Sequence, residues 1–390
     1  MSFVKRIMAS AATTPEEISL ALRSGGSSTS GANVTPDSAM KVSAVYACIR
    51  ILSETVAQVP LLLYRRIGDE GRERATDHQL YPILHDAPND YQTSFEFREM
   101  MQGHVSLRGN AYARKIYSRG QLQELLPLHP DNVEAEGKNG RMLYKITDDM
   151  GRRTDRTSRE IFHLRGMSSD GYLGMSPIQV ARDIIGMTIT TDQHGAQLFK
   201  NGAKPGGILK HPSHFKDKAT RDRVRDSWDS FTGGSNAGKT AVLEEGMEWT
   251  KVGMTSEDAQ YLESRKFQIS EIARIFRVPA MLLQHDDKTS TFASAEQFML
   301  SFIVHTMTPW FTRWEQAIRQ QLLAPEDRQD GVMAEFLMDG LLRGDTKSRY
   351  EAYASAIDKG WLLKNEVRVR ENLDPIDGLD EVQNDPNSQE

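Results

Sequence analysis

The sequence predicts an α+β fold, with a helix-and-sheet body early in the chain and two long helical rods farther on. Three observations predict it. Val42, Val45, Tyr46, Ile49, Leu52, Val56 and Val59 recur at three- and four-residue spacing, the stripe of an amphipathic helix. Between residues 111 and 164, short apolar runs alternate with turn signals, as in an antiparallel sheet. Two further helix-periodic stretches, 176–201 and 255–279, bracket a compact βαββ pattern.

Residues 1–39 read as a flexible N-terminal arm, because Gly25-Gly26-Ser27-Ser28-Thr29-Ser30-Gly31 is linker-like in composition. A short helix fits at 15–23. Pro60 closes the first amphipathic helix, having no N–H to give, and Leu61-Leu62-Leu63-Tyr64 reads as a buried strand. Thr93-Ser94-Phe95-Glu96 is a capping box that opens a helix to about Leu107. Gly109-Asn110 turns the chain into strands at 111–117, 122–128, 133–136, 141–146 and 161–164, with Gly137-Lys138-Asn139-Gly140 as one turn. Residues 40–174 therefore form one α+β domain with a small antiparallel sheet.

Gly174-Met175-Ser176-Pro177 is a helix start, with Ser at the cap and Pro in the first turn, and Gly202 is the stop. The β-branched run Thr188-Ile189-Thr190-Thr191 in its middle has weak helix propensity, so packing must hold it. A strand after Pro205-Gly206-Gly207, a helix at 218–231 and strands at 240–243 and 247–252 make the βαββ unit. Thr255 or Ser256 caps the second rod, which carries Leu262, Ile269, Ile272, Ile275 and Phe276 at helical spacing and stops at Pro279. A polar loop follows. Ser294 with Gln297 three residues on reads as a capping box starting a helix that carries Phe298, Phe302, Met307, Phe311, Trp314, Ile318 and Leu322, with a bend at Pro309. Beyond Pro325 the chain suggests a strand at 333–338, a helix at 346–359 closed by Gly360, and a shorter helix from Asn365. From Asp374 onward there is no Lys or Arg, and the acidic tail reads as disordered.

At 390 residues, 26% charged and 38% apolar, the composition is that of a globular protein with two or three domains. The single cysteine, Cys48, has no internal disulfide partner and lies in an apolar helical run, so it reads as a buried small hydrophobe in a reducing compartment. No apolar run approaches the roughly 18 residues of a membrane span, and residues 1–10 lack a signal-peptide core. A net charge of -6 argues against tight nonspecific nucleic-acid binding by the whole surface. It leaves room for a polymer that passes without being gripped.

Gly233-Gly234-Ser235-Asn236-Ala237-Gly238-Lys239-Thr240 matches the phosphate-loop pattern letter for letter. That mechanism needs a strand before the loop and a helix opening at Lys-Thr. Here a helix precedes and the strand-like Ala241-Val242-Leu243 follows, so the stretch reads as a Gly-rich turn and a P-loop nucleotide hydrolase is the alternative. Residues 269–283 resemble the first half of a helix-turn-helix DNA-binding protein, a second alternative, yet His285-Asp286-Asp287 follows where phosphate would be repelled. His211 and His214 lack partners at metal spacing, and Glu244-Glu245 lies in a turn where charge is solvated. Lys204, Lys210, Lys216, Lys218, Arg221, Arg223 and Arg225 make a basic region diluted by Asp217, Asp222 and Asp226. It is either a solvated face or a docking surface for an acidic partner or DNA.

Several separated segments, in order, resemble the portal proteins of long-tailed double-stranded DNA phages. They are the run from Val42 to Pro60, Gly109-Asn110-Ala111-Tyr112, Gly174-Met175-Ser176-Pro177, Asn236-Ala237-Gly238-Lys239 before Val242-Leu243-Glu244, Glu271 to Pro279, and Tyr350-Glu351-Ala352-Tyr353 through Gly360-Trp361. The match spans about residues 40–372. The resemblance implies a dodecameric ring at one capsid vertex, built from a wing, a two-helix stem, a small βαββ clip and a helical crown. On this sequence it implies wing at 40–174, stem helices at 175–202 and 255–279, clip at 203–254, tunnel loop at 280–294, a long bent wing helix at 295–324, and crown with acidic tail at 325–390.

The resemblance further implies a tunnel loop that faces DNA through His285, Asp286, Asp287, Lys288, Thr289, Ser290 and Thr291. It implies a clip that docks partners through Lys216, Lys218, Arg221, Arg225, Asn236 and Lys239. The partners it implies are duplex DNA, terminase, a head-tail connector or adaptor, major capsid protein and scaffold, with no membrane. No catalytic residue, metal or cofactor is implied, and the place is the virion, with host cytoplasm during assembly.

Overall fold

The computed structural model of the protein describes residues 28–68, 71–148, 150–200, 207–210, 212, 217–232, 246–251, 256–284, 292–338, 346–371, 374 and 376–379. Thr35 opens a single turn, α1 (Pro36–Ala39), with a reciprocal cap: Ser38 N donates to Thr35 Oγ1 at 3.1 Å and Thr35 N to Ser38 Oγ at 2.9 Å. Val34 and Ala39 are fully buried, and Thr29 N donates to Asp183 Oδ1 at 2.8 Å. Residues 28–39 are therefore packed against the body, contrary to the flexible arm that composition suggests. The small residues serve close approach: a Cβ on Gly186 would sit 2.2 Å from Ser28 Oγ. Residues 1–27, with the short helix expected at 15–23, lie outside the described residues.

Helix α2 (Ser43–Gln58) buries Val45, Ile49, Leu52 and Val56 of the predicted stripe together with Cys48, whereas Tyr46 of that stripe is 49% exposed. Val59 turns extended before Pro60, as a residue preceding proline must. Strand β1 (Leu61–Ile67) begins fully buried, and β2 (Gly71–Arg74) returns beside it. After α3 (Leu80–His85), the predicted capping box forms at α4 (Ser94–Arg108): Glu96 Oε2 accepts from Thr93 N at 2.8 Å, and Thr93 Oγ1 from Glu96 N at 3.3 Å. Gly109, at φ +77, ends that helix.

The strands β3 (Asn110–Ser118), β4 (Gln121–Leu128), β5 (Val133–Lys138), β6 (Arg141–Thr147), β7 (Arg153–Thr157) and β8 (Ile161–Arg165) then follow. They form two antiparallel sheets, ordered β4-β3-β8 and β5-β6-β7, rather than one. Strand β7 has no apolar residue, so hydrophobic patterning had nothing to register. Tyr112, Tyr144, Ile146, Ile161 and Leu173 pack in a small core of their own beside these sheets.

Ser176 caps α5 (Pro177–Val180), and after Ala181 the chain continues as α6 (Arg182–Lys200). The single predicted helix is thus broken at Ala181, at φ -89 and ψ 12. Buried Ile178, Ala181 and Ile185 keep one face across the break, which hides it from periodicity. The Thr188, Thr190 and Thr191 hydroxyls donate back to the carbonyls of Ile184, Gly186 and Met187 at 2.8–3.0 Å. Strands β9 (Gly207–Lys210) and β10 (Glu248–Lys251) pair antiparallel around α7 (Lys218–Thr232). The strand expected at 240–243 lies outside the described residues.

Helix α8 (Ser256–Phe276) ends at Arg277, whose φ of +56 is left-handed, and Pro279 leads into a 3-10 turn, Ala280–Leu283. Helix α9 (Phe292–Phe302) already contains Ser294, so the Ser294–Gln297 pair is interior and not a cap. The bend ahead of α10 (Thr308–Gln321) is a π-helical turn, Ile303–Met307, with Pro309 in the first turn that follows. After α11 (Pro325–Gln329), strand β11 (Val332–Phe336) pairs with β1 in the order β11-β1-β2. This strand of the 325–390 segment is thus part of the early body's sheet. Helices α12 (Thr346–Asp358) and α13 (Lys364–Arg370) close the described chain. Asn365 grips Ile376 from both sides, accepting from its N at 2.9 Å and donating to its O at 2.8 Å. At that point the tail is anchored, where composition suggests disorder.

The main core joins α2, α4, β1, β8, α10 and β11, with Trp314, Phe311, Phe336, Phe162 and Met101 fully buried at its centre. Among the described residues no helix is long and apolar enough to cross a membrane.

Candidate channel and docking elements

The two rods α6 and α8 lie side by side and run in opposite directions. Asp192 meets Arg265 at 3.0 Å, and one turn farther along α8 Gln268 Nε2 donates to Oγ1 of the adjacent Thr191 at 3.2 Å. Ile185 and Ile189 of one rod and Ile269 and Ile272 of the other join the main core. The rods are therefore rooted in the body at one end and lead to β9, α7 and β10 at the other. Several large apolar side chains on these helices, on α9 and on the π-helical turn after it remain open in a single chain: Met187, Phe267 at 62% exposure, Phe298, Met299, Leu300 and Val304. A concentration of this kind is what a partner surface covers.

Asn110 fixes where the first rod departs. Its Oδ1 accepts from Gly174 N at 2.8 Å and from His163 Nε2 at 2.9 Å, while its Nδ2 donates to Gly174 O at 2.8 Å. Ser176 Oγ donates to Leu107 O at 2.8 Å. Gly109 and Gly174 make this contact possible, since a Cβ on Gly174 would lie 1.9 Å from Gly109 O. His163 Nδ1 accepts from Tyr144 OH at 3.1 Å, and burial pushes the histidine pKa down to about 3, so the ring is neutral.

The residues expected to face DNA, His285, Asp286, Asp287, Lys288, Thr289, Ser290 and Thr291, lie outside the described residues. Their flanks are described. Arg277 and Gln284 both adopt left-handed backbone, at φ +56 and +54. Thr306 Oγ1, from the π-helical turn beyond the loop, donates to Arg277 O at 2.7 Å. The chain entering the loop is thus tied to the chain leaving it. The 3-10 turn after Pro279 is not a second recognition helix; among the described residues the next helix begins at Phe292.

Lys218, Arg221 and Arg225 stand exposed on α7. Arg225 lies 3.3 Å from Asp226 and 3.9 Å from Asp222, and Arg221 lies 3.8 Å from Asp222, so part of this basic charge is cancelled on the same helix. Asp217 accepts from Thr220 N at 2.6 Å, a cap that holds its carboxyl below the usual range. Lys216, Asn236 and Lys239 lie outside the described residues. Helix α7 ends at Thr232, directly before the glycine-rich stretch, so that stretch follows a helix where a phosphate loop follows a strand. Among the described residues no cluster of His, Cys, Asp or Glu could hold a metal.

Sequence reading passed over one group entirely: Lys115, Tyr144, His163 and Gln321, which the sheets and α10 bring together over a cleft. Their spacing in the chain carries no motif, and only the pairing of β3 with β8 makes them neighbours.

An α+β body with an antiparallel rod pair leading to a small strand-and-helix unit is the fold of a portal subunit. Residues 43–372 match the family model for phage portal proteins, and the chain belongs to that family. It is 32% identical to the portal protein of Enterobacteria phage HK97 over 351 residues, covering 89% of this chain and 82% of that one. It is also 32% identical to a probable portal protein of Streptomyces phage phiC31 over 374 residues, covering 92% and 80%. Among solved structures, a chain from the neck of a native gene transfer agent particle, computed with C12 symmetry, superposes with a TM-score of 0.60. That chain is 21% identical and the alignment covers 94% of this chain and 100% of it.

Proposed function

We propose that this portal protein closes into a dodecameric ring at a single capsid vertex and forms the channel through which duplex DNA is packaged and ejected. The observation that carries the reading is the rod pair α6–α8, rooted in the body and bearing uncovered Met187 and Phe267, beside an α9 that exposes Phe298, Met299 and Leu300. Identical neighbours in a closed ring bury such faces without leaving an open end. The C12 symmetry of the gene transfer agent neck supports twelve copies.

In this reading residues 40–174, with β11, are the wing, α6 and α8 the stem, and residues 203–254 the clip. The clip docks terminase during packaging and a connector afterwards, through Lys218, Arg221 and Arg225 together with Lys216, Asn236 and Lys239. Major capsid protein and scaffold contact the ring during assembly. The protein is structural; terminase hydrolyses ATP, and Lys239 binds no nucleotide. The loop 285–291 faces DNA, and its mixed charge, with Asp286 and Asp287 beside Lys288, keeps phosphate contacts weak so that the duplex slides.

Mass photometry and negative-stain images of the purified protein test the ring: closed particles with a central hole are expected, and a monomer at all concentrations would sink the reading. Nucleotide binding by the protein and by Lys239→Ala tests the structural assignment, with none expected from either. Replacing Asp286 and Asp287 by Lys should slow packaging and ejection; unchanged rates would remove the weak-contact account.

A further inference from the structure

A cleft of about 890 Å³ opens between the β5-β6-β7 sheet and the end of α10, with Lys115, Arg141, Arg159, Arg165 and Tyr172 on its walls. A smaller one of about 440 Å³ adjoins it, sharing His163, Arg165, Gln320 and Gln321 and adding Arg313. The two cavities therefore form one trough along β8, built wholly from the body, without a residue of the rods or of α7.

Its charge is one-sided. Five cations line it against one carboxylate, Glu160, and that carboxylate is already engaged by Arg156 at 2.8 Å and by Thr157 N at 3.2 Å. Arg141 and Arg159 are exposed and make no ion pair among the described residues. At the floor Lys115 is only 6% exposed. Its Nζ donates to the carbonyls of Ser158 and Gln321, each at 3.0 Å, which leaves one of its three donors over and no carboxylate beside it. Burial draws its pKa down to about 8, so it is still charged at neutral pH and stands to gain from an anion.

We propose that this trough is a docking site for an extended acidic peptide segment of a partner protein, with one carboxylate seated on Lys115 and others paired to Arg141, Arg159, Arg165 and Arg313. The depth of Lys115 selects the ligand. A carboxylate on a thin, flexible chain reaches the floor, whereas duplex DNA is stiff over far longer distances and would bridge the mouth. The walls also carry Tyr117, 48% exposed, and half-buried Met142 and Tyr172, surface suited to apolar side chains between the acids. Arg165 donates to Gly171 O at 2.6 Å and Arg313 to Gly166 O at 3.1 Å, so both guanidinium groups are held in place before anything binds.

Fluorescence anisotropy of a fluorescein-labelled decaglutamate peptide against the full-length protein tests this, at low and at high ionic strength. Saturable binding that weakens with salt is expected. The double variant Arg141→Ala/Arg159→Ala should weaken it by roughly tenfold or more, as loss of two charge pairs at a partner surface does. Arg50→Ala/Arg74→Ala, exposed on the body away from the trough, should leave it unchanged. Lys115→Met keeps the length of the buried stem and should also weaken binding, with circular dichroism and particle size establishing that each variant still folds and assembles. Absence of saturable binding would overturn the proposal. So would equal loss in the Arg50→Ala/Arg74→Ala variant, or a blunt DNA duplex that binds as tightly and is released by the same arginine substitutions.

Discussion

The Gln321 side chain completes the open edge of strand β8. Its Oε1 accepts from His163 N at 2.8 Å and its Nε2 donates to His163 O at 2.9 Å, so one amide stands in for the peptide group of a missing neighbour. Strand β8 lies at the edge of β4-β3-β8, and α10 supplies the cover. Replacing Gln321 with Ala strands both backbone groups of His163 in a half-buried setting. We expect a loss of about 1–3 kcal/mol in chemical denaturation. Gln321→Glu keeps the acceptor and loses the donor, and should fall between wild type and Ala.

Trp314 Nε1 donates to Gln102 Oε1 at 3.0 Å inside the main core, where Gln102 is fully buried and also donates to Ser106 Oγ at 3.0 Å. Trp314→Phe should cost about 1–3 kcal/mol from the orphaned amide oxygen, beyond the loss of packed area. Adding Gln102→Leu removes the orphan and should recover part of the loss. A double-mutant cycle on denaturation midpoints measures the coupling.

Gly109 and Gly140 separate two costs of a side chain. Both have left-handed backbone, at φ +77 and +73. A Cβ at Gly140 meets nothing within 4 Å, so Gly140→Ala should cost about 1–2 kcal/mol from backbone strain alone. A Cβ at Gly109 would lie 2.3 Å from Met175 O, at the point where the first rod leaves the body. Gly109→Ala should therefore displace that junction, and rings seen by negative stain should be lost or malformed while Gly140→Ala assembles normally.

Acid should destabilise the fold through two buried histidines. Burial lowers His104 to about 4, helped by nearby His129 and Arg108 and opposed by Asp131. Burial, with Arg165, lowers His163 to about 3. Both rings are neutral in the folded chain, while in the unfolded chain they take up protons below the ordinary value of 6.5. The unfolded state thus binds more protons as pH falls from about 6.5, and stability drops by at most about 1.4 kcal/mol per pH unit for each group. Urea midpoints should fall between about pH 7 and pH 5, and His104→Gln should flatten that slope.

The sequence reading succeeded where the signal is local and failed where it is not; even on buried faces the break at Ala181 and the short helix α3 escaped it. The stripe from Val45 to Val56, the capping box at Thr93–Glu96 and the turn at Gly109 all carry their physics within a few residues. Strand β7 is polar throughout and is held by its pairing with β6, which no local window contains. The π-helical bend before Pro309 also escaped, because proline marks a bend without saying which backbone bonds absorb it. The candidate site divides the same way. Lys218, Arg221 and Arg225 could be picked out as a charged run, whereas the Lys115 trough exists only once β3, β8 and α10 are assembled.

The pairing of Leu61 with Phe336 sets an order on synthesis. The opening strand leaves the ribosome early, and its partner emerges only after both rods and everything between them have been made. Until then the sheet keeps a bare flank, and contacts so distant in sequence are slow to close. If the ring proposed above forms, recruitment of a chain into it should therefore wait for nearly finished translation.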